Sequence, residues 1–308
     1  MWQISGITTF VIILLFGLYL LWARRPALPE IAPLSPGKIP TPLIERGREL
    51  AMIGDCQSCH TVTSVAPFAG GAPVKTPLGT LYGPNITPDP TTGIGHWSLK
   101  AFARALREGV GRDGRHLYPA LPYEHFASLT DNDIAALYAY VMSQQPVYAV
   151  APAHRLYPPF GYRPLLAGWK LLFGRPGAFM PPAGPDPIWN RGAYLTEALG
   201  HCGACHTPRN LMQAERPDRP LAGGKGDGWN TPPLNGSGKK WTAVQVEVYL
   251  TTGRAPDGSV ARGPMAKVVK SLSQAPRAEV HAIAVYIASS MAGKEPGKHG
   301  QGRQDGPL

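Results

Sequence analysis

Cys56-Gln57-Ser58-Cys59-His60 and Cys202-Gly203-Ala204-Cys205-His206 contain all four cysteines of this 308-residue chain. Two thiols three positions apart on one helical turn can form thioethers with the two vinyl groups of a porphyrin, and the histidine that follows can ligate the iron from one face. Cys-x-x-Cys also serves zinc ribbons and redox disulfides. Neither of those needs a histidine directly behind both pairs. The spacing therefore predicts two covalently bound haem c groups, attached through Cys56 and Cys59 and through Cys202 and Cys205, with His60 and His206 as axial iron ligands.

The elements that must hold these residues occur twice. Thr41-Pro42 and Asp186-Pro187 each read as an N-cap and first-turn proline of a short helix running into Cys56 or Cys202, with Arg46-Gly47 and Arg191-Gly192 recurring inside. Trp97-Ser98 and Trp241-Thr242 each open a helix with apolar positions Leu99, Phe102 and Leu106, or Ala243, Val246 and Leu250, that stops at Gly109 or Gly253. Turns at Asp113-Gly114 and Asp257-Gly258 follow. Behind Thr130 a closing helix carries Ile134, Leu137, Tyr138 and Val141, matched after Pro276 by Val280, Ile283, Ala284 and Ile287. A haem word behind a first helix, a long loop and a closing amphipathic helix resembles the cytochrome c fold. The expected fold is all-α: two tandem cytochrome c-like haem domains, 43–150 and 188–292, after an N-terminal transmembrane helix.

The repeat also points to the sixth ligands. In the second unit Met265 follows Gly263-Pro264, and a thioether there would give His206/Met265 ligation, which raises the reduction potential. The matching distance after Trp97 brings Leu121, in Tyr118-Pro119-Ala120-Leu121-Pro122-Tyr123, and leucine cannot bind iron. His125 or His116 could stand in for the methionine expected at Leu121; each could equally be a loop histidine or a donor to a haem propionate. Met52 and Met142 fall on the first and last helices of the unit, where a core role is expected. If nothing binds, the first iron keeps an open position lined by Leu121. That is the basis of an alternative reading, a di-haem enzyme or a gas- or peroxide-reactive sensor, with Glu124 the nearby acid beside the two histidines.

Ile4 to Trp22 runs without a charge and predicts a transmembrane anchor over 1–25, followed by a linker over 26–42. A cleaved signal peptide competes, but the run lacks a basic n-region and a small-x-small cleavage site. Arg24 and Arg25 would place the body inside by the positive-inside rule. Haem c attachment outside the bacterial membrane overrules it, so the expectation is a single N-terminal span in the inner membrane with the haem domains in the periplasm. Between the units, 151–187 is rich in proline and aromatics; Leu165 to Phe173 is too short to span a bilayer and reads as packing between units, or as a contact in which Trp169 and Phe173 anchor a membrane surface or a partner. Residues 293–308 read as a flexible tail.

The formal net charge of +10 omits haem propionates, which would remove about four charges from a two-haem protein. Lysines and arginines are spread along the chain without a recognition motif, so nucleic acid is not an expected partner. No Gly-rich nucleotide loop or nucleophile-base pair marks a catalytic domain.

Arg191 to Asn210 (Arg-Gly-Ala-Tyr-Leu-Thr-Glu-Ala-Leu-Gly-His-Cys-Gly-Ala-Cys-His-Thr-Pro-Arg-Asn), Tyr82 to Gly95 and His116 to Tyr123 resemble the membrane-bound cytochrome c subunits of bacterial periplasmic dehydrogenases for alcohols, aldehydes and gluconate, and the likeness runs from about Leu43 to Ala288. The resemblance implies a non-catalytic subunit that takes electrons from a flavin, quinoprotein or molybdenum dehydrogenase subunit and passes them to a quinone, an oxidase or a soluble carrier of the respiratory chain. It carries Cys56, Cys59 and His60 over as one haem site, and Cys202, Cys205, His206 and Met265 as the other. The chain departs from the resemblance twice: it has no third haem word, which puts direct quinone reduction in doubt, and it has Leu121 where the family places an axial methionine.

Overall fold

Helices that the repeat predicts cross in pairs. In chain order the helices are α1 (Trp2–Ala23), α2 (Thr41–Ile53), α3 (Cys56–His60), α4 (Leu99–Glu108), α5 (Tyr123–Phe126), α6 (Asp131–Met142), α7 (Leu165–Phe173), α8 (Pro187–Ala193), α9 (Gly203–His206), α10 (Ala243–Thr252), α11 (Pro264–Leu272) and α12 (Arg277–Met291), with a π-helical stretch over Tyr194–Leu199. They come from a computed structural model that describes residues 2–34, 37, 39–62, 66–226, 228–236 and 238–293, with side chains from Ile7 onward. The tail expected at 293–308 lies outside the described residues beyond Gly293.

The ends follow the local chemistry. Ser98 and Thr130 accept hydrogen bonds from Ala101 N (3.2 Å) and Asp133 N (3.1 Å). Thr242 and Gln245 form a reciprocal capping box, and the Asp186 carboxylate accepts from Ile188 N. Gly109 and Gly253 end α4 and α10 in the left-handed conformation that a β-carbon disfavours, φ 60° and 72°. Thr41 is the exception: it is already helical, and Pro40 precedes it without a side-chain cap.

α2 crosses α6, and α8 crosses α12. A β-carbon on Gly47 would overlap the Ala136 carbonyl oxygen, and one on Gly192 would overlap that of Ala282. Both crossings therefore bring backbone against backbone, which explains why Arg-Gly recurs at equivalent places. The preceding arginines meet across the repeat. Arg191 Nε and Nη2 donate to the Glu279 carboxylate at 2.8 and 2.7 Å, and Arg46 Nη1 donates to the same group at 3.0 Å. Asp133, at the equivalent position on α6, takes the Tyr194 hydroxyl at 2.7 Å and lies 3.5 Å from Arg46 Nη2. Beneath this cluster one hydrophobic core contains Leu50, Ile53, Ile134 and Leu137 of the first unit together with Leu195, Leu199, Val280 and Ile287 of the second.

The all-α expectation needs correction. The loop behind each haem word folds into an antiparallel hairpin, β1 (Pro73–Thr76) with β2 (Gly79–Tyr82), and β4 (Gly224–Gly226) with β5 (Trp229–Thr231); β3 (Arg155–Leu156) joins β2 as a third strand. Gly79 turns the first hairpin at φ 123°, pressed against Arg155 and Leu156 so closely that no side chain fits. Helical periodicity is silent on such short strands, so these segments read as loop in the sequence.

The N-terminal transmembrane helix and the inner-membrane location drawn from that span are likewise corrected. Among the described residues no helix is long and apolar enough to cross a membrane. The last turns of α1 are moreover committed to protein: the Tyr19 hydroxyl donates to Pro164 O and accepts from Gly168 N, and Ala23 O accepts from His116 Nε2. The segment after α1 straps over the first unit, with Leu28 N donating to Arg112 O and Ile31 N to His96 O. α7 fills the space between α1, the end of α4 and the second unit, where Trp169 Nε1 donates to Met212 O at 2.8 Å.

Gly47→Ala and Gly192→Ala are each expected to cost about 1–3 kcal/mol in chemical denaturation of the holoprotein, because overpacking outweighs the ~1 kcal/mol helix propensity gained. Gly17→Ala, in α1 with nothing within 4 Å of its added carbon, should be neutral or stabilising. Equal behaviour of all three would refute the close crossings. Burial acts to raise the Glu279 pKa, but the hydrogen bonds and charges of Arg191 and Arg46 outweigh it and hold the carboxyl below its usual value. Its contribution is therefore present above the unfolded carboxylate pKa of about 4.3 and lost as pH falls through the lower folded value. The stability gap between the native chain and Glu279→Gln should accordingly narrow below about pH 4; a gap independent of pH would show that the carboxylate charge contributes nothing.

Candidate haem sites

Each haem word is delivered by a left-handed residue, Asp55 at φ 47° and His201 at φ 41°, that breaks the preceding helix and starts the short helix α3 or the turn leading to α9. On α3, Cys56 and Cys59 share one turn and Ser58 Oγ donates to Asp55 at 2.7 Å. The four cysteines are half-buried thiols with no disulfide between them. Among the described residues no group of three or more His, Cys, Asp or Glu could hold a metal ion, so the pairs do not converge into a zinc ribbon. Burial, with Asp55 or Glu197 nearby, pushes the Cys56 and Cys202 thiols up to about 12, opposite to the depressed pKa of a redox-active cysteine.

The histidines are held in one tautomer. His60 Nδ1 donates to Pro84 O at 2.8 Å, and His206 Nδ1 donates to Pro232 O at 2.7 Å. A carbonyl only accepts, so the proton sits on Nδ1 and the Nε2 lone pair is free for iron, the arrangement that orients a metal-binding imidazole. The hairpins supply both acceptors: Pro84 lies just beyond β2 and Pro232 just beyond β5. Gly83 lets β2 run on against Cys59, whose carbonyl a β-carbon there would overlap. Thr231 Oγ1 donates to Cys205 O at 2.6 Å in the second unit. Burial pulls both histidine pKa values below normal and keeps the rings neutral, as ligation requires. One further observation fits a bulky group in the first unit: the Tyr123 hydroxyl is buried there with no hydrogen-bond partner.

Met265 sits in the first turn of α11, half-buried against the shared core, behind Gly263 at φ 55°, where the Trp229 ring of the proximal hairpin leaves no room for a side chain. Leu121 packs against the same core. The two histidines offered in its place are committed elsewhere. His116 Nε2 donates to Ala23 O and its Nδ1 lies 3.3 Å from Lys170 Nζ, which leaves the imidazole neutral and both nitrogens used. His125 is fully buried against the second unit: Nδ1 donates to Glu197 O at 2.5 Å, Nε2 to the Glu215 carboxylate at 3.0 Å, and the ring stacks on Phe179 at 4.5 Å. Burial opposes charge on that ring, but Glu215 outweighs it and raises the His125 pKa. Arg209 backs Glu215 at 3.2 Å. Position in sequence placed His125 near the first haem; the fold sends it to Gly203 of the second haem word, whose β-carbon would lie 2.9 Å from the imidazole.

The residues that lead into the two attachment turns touch. A β-carbon on Gly54 would lie 3.5 Å from Cys56 Sγ and 3.4 Å from Leu199, and one on Gly200 would lie 3.6 Å from Cys202 Sγ and 3.7 Å from Ile53 O. Ser271 Oγ, at the end of α11, donates to Met52 O at 2.8 Å. Sequence reading missed this seam, as it missed the proline carbonyls; the glycines two residues before each first cysteine were its only visible trace.

The Cytochrome c family profile matches residues 44–145. The chain is 50% identical over 280 residues to a nicotinate dehydrogenase subunit of Pseudomonas putida, covering 89% of this chain and 24% of that protein. It is 40% identical over 275 residues to the fructose dehydrogenase cytochrome subunit of Gluconobacter japonicus, covering 86% of this chain and 56% of that one. It thus spans a quarter to about half the length of these relatives. Over nearly full length it is 37% identical to a di-haem cytochrome c-type protein of Cereibacter sphaeroides, covering 90% of this chain and 94% of the relative. With its haem words, proline-tethered histidines and this full-length match, the chain belongs to the c-type cytochromes, proteins of covalent haem c and electron transfer.

Proposed function

We propose that the chain binds two haem c groups and serves as the electron-transfer subunit of a dehydrogenase, receiving electrons from a catalytic subunit and passing them to a quinone or another carrier of the respiratory chain. The observation that carries this is the duplicate geometry at the two words, where each histidine is fixed by a proline carbonyl with Nε2 free. Cys56 and Cys59 would tether one haem and Cys202 and Cys205 the other; His60 and His206 would bind the irons, with Met265 as sixth ligand of the second. When bound, haem c supplies a reversible one-electron couple.

The protein's own residues set how that couple is used. The Nδ1–H bonds to Pro84 and Pro232 raise the basicity of each imidazole and hold its plane. The two hairpins carry the carbonyls that hold the histidines, and the seam at Gly54 and Gly200 fixes the distance between the attachment turns. The partner reading is supported by relatives named as subunits of nicotinate and fructose dehydrogenases; those names do not select a flavin, quinoprotein or molybdenum partner for this chain.

Intact mass and pyridine haemochrome assay of protein matured in a host that attaches haem c should give two covalent haems per chain. Cys202→Ser with Cys205→Ser should leave one. A native count of one would overturn the two-haem reading, and haem lost on denaturation would overturn covalent attachment.

A further inference from the structure

The two candidate sites are alike on the proximal side and differ on the other. Each has a histidine tied to a proline carbonyl, a hairpin delivering that carbonyl, and a loop residue set against the shared core at the equivalent point of the repeat. In the second unit that residue is Met265; in the first it is Leu121. A branched hydrocarbon gives iron no lone pair.

Among the described residues, the two histidines nearest Leu121 in sequence are committed elsewhere. His116 is bonded through Nε2 to Ala23 O with Nδ1 facing Lys170, and His125 is sealed into the second unit by Glu197 and Glu215. Lys170 donates to Glu108 O at 2.6 Å and Gly109 O at 2.7 Å while lying over the Tyr123 ring. His96 Nδ1 is bonded to Ile31 O beneath the strap that follows α1, and His154 Nδ1 accepts from Tyr82 N with its ring edge-on to Tyr118. Met142 is 1% exposed inside a separate cluster with Ile94, Tyr138 and Val141, and Met52 packs on α2 against the main core. Two residues beyond Leu121, the buried Tyr123 hydroxyl has no partner in the protein.

We infer that the iron held by His60 has no protein sixth ligand and that the Leu121 side of this site takes a neutral diatomic ligand, carbon monoxide or nitric oxide, on ferrous iron. The inference rests on the proposal that Cys56, Cys59 and His60 hold a haem. Binding is a simple addition: the ligand donates its lone pair to ferrous iron, no bond of the chain breaks, and no electron is gained or lost. An apolar wall favours such a ligand over an anion, whose charge would be stripped of water with no cation to replace it. Six-coordinate His206/Met265 iron resists the same ligand because the thioether must first leave.

The test is a carbon monoxide titration of the dithionite-reduced holoprotein, read from the Soret band, with covalent haem counted in the same sample. We expect half of the haem to bind tightly, Leu121→Met to abolish that fraction, and Met265→Leu to extend binding to all of the haem. Two haems per chain with no carbon monoxide bound would overturn the open site while leaving the two-haem reading intact. A bound fraction untouched by Leu121→Met, but lost in His206→Ala, would place the open iron in the second unit and overturn it as well. Fewer than two haems per chain would instead sink the reading on which the inference rests.

Discussion

Everything in this chain is referred to two places where helix backbones touch. At Gly47 and Gly192 the first helix of each unit presses onto the closing helix so closely that the smallest side chain would collide with a carbonyl. The crossing fixes where α2 and α8 end, and so where the left-handed residues Asp55 and His201 release the chain into the haem words. Burial of the surrounding apolar side chains supplies the driving force, and the glycines supply the geometry. Displacement at either crossing would carry a cysteine pair and a histidine with it.

The two units share one core and are pinned together above it. Glu279 accepts from an arginine of each unit, and Asp133 takes the complementary place, so the four charges form a roughly two-fold arrangement across the join. Isolated surface pairs contribute little to stability. Here the carboxylates of Asp133 and Glu279 are mostly buried and each guanidinium reaches both of them, which makes the cluster a means of selecting one mutual orientation of the units. That orientation brings Ile53 and Gly54 against Leu199 and Gly200, the residues that lead into the two attachment turns.

Much of this was legible in the residues, and the parts that were not share a cause. Haem words, caps at Ser98, Thr130, Asp186 and Thr242, and the glycine stops all depend on neighbours a few positions apart, which spacing reveals. His125 packs against Glu197, Glu215 and Gly203, far along the chain, which its position beside Leu121 in sequence does not reveal. Pro84 and Pro232 act through carbonyls, which every residue has, so no residue type betrays them. The hairpins are too short for alternation to register. The uncharged run at the N-terminus suggested a span by length alone, without the contacts that Tyr19 and Ala23 make with the body. Arg46 and Arg191 were visible as a recurrence, but their common partner was not.

In the proposed two-haem protein, the seam between the attachment turns would divide the path of an electron into parts of different kind. With both words loaded, passage across it is unimolecular, over a distance set once when the chain folds and indifferent to concentration. Arrival and departure are collisions, and a body whose polypeptide charge of +10 the propionates only partly offset meets its partners through a field that salt weakens. The internal step is therefore built into the covalent chain, and the ionic surroundings govern only its two ends.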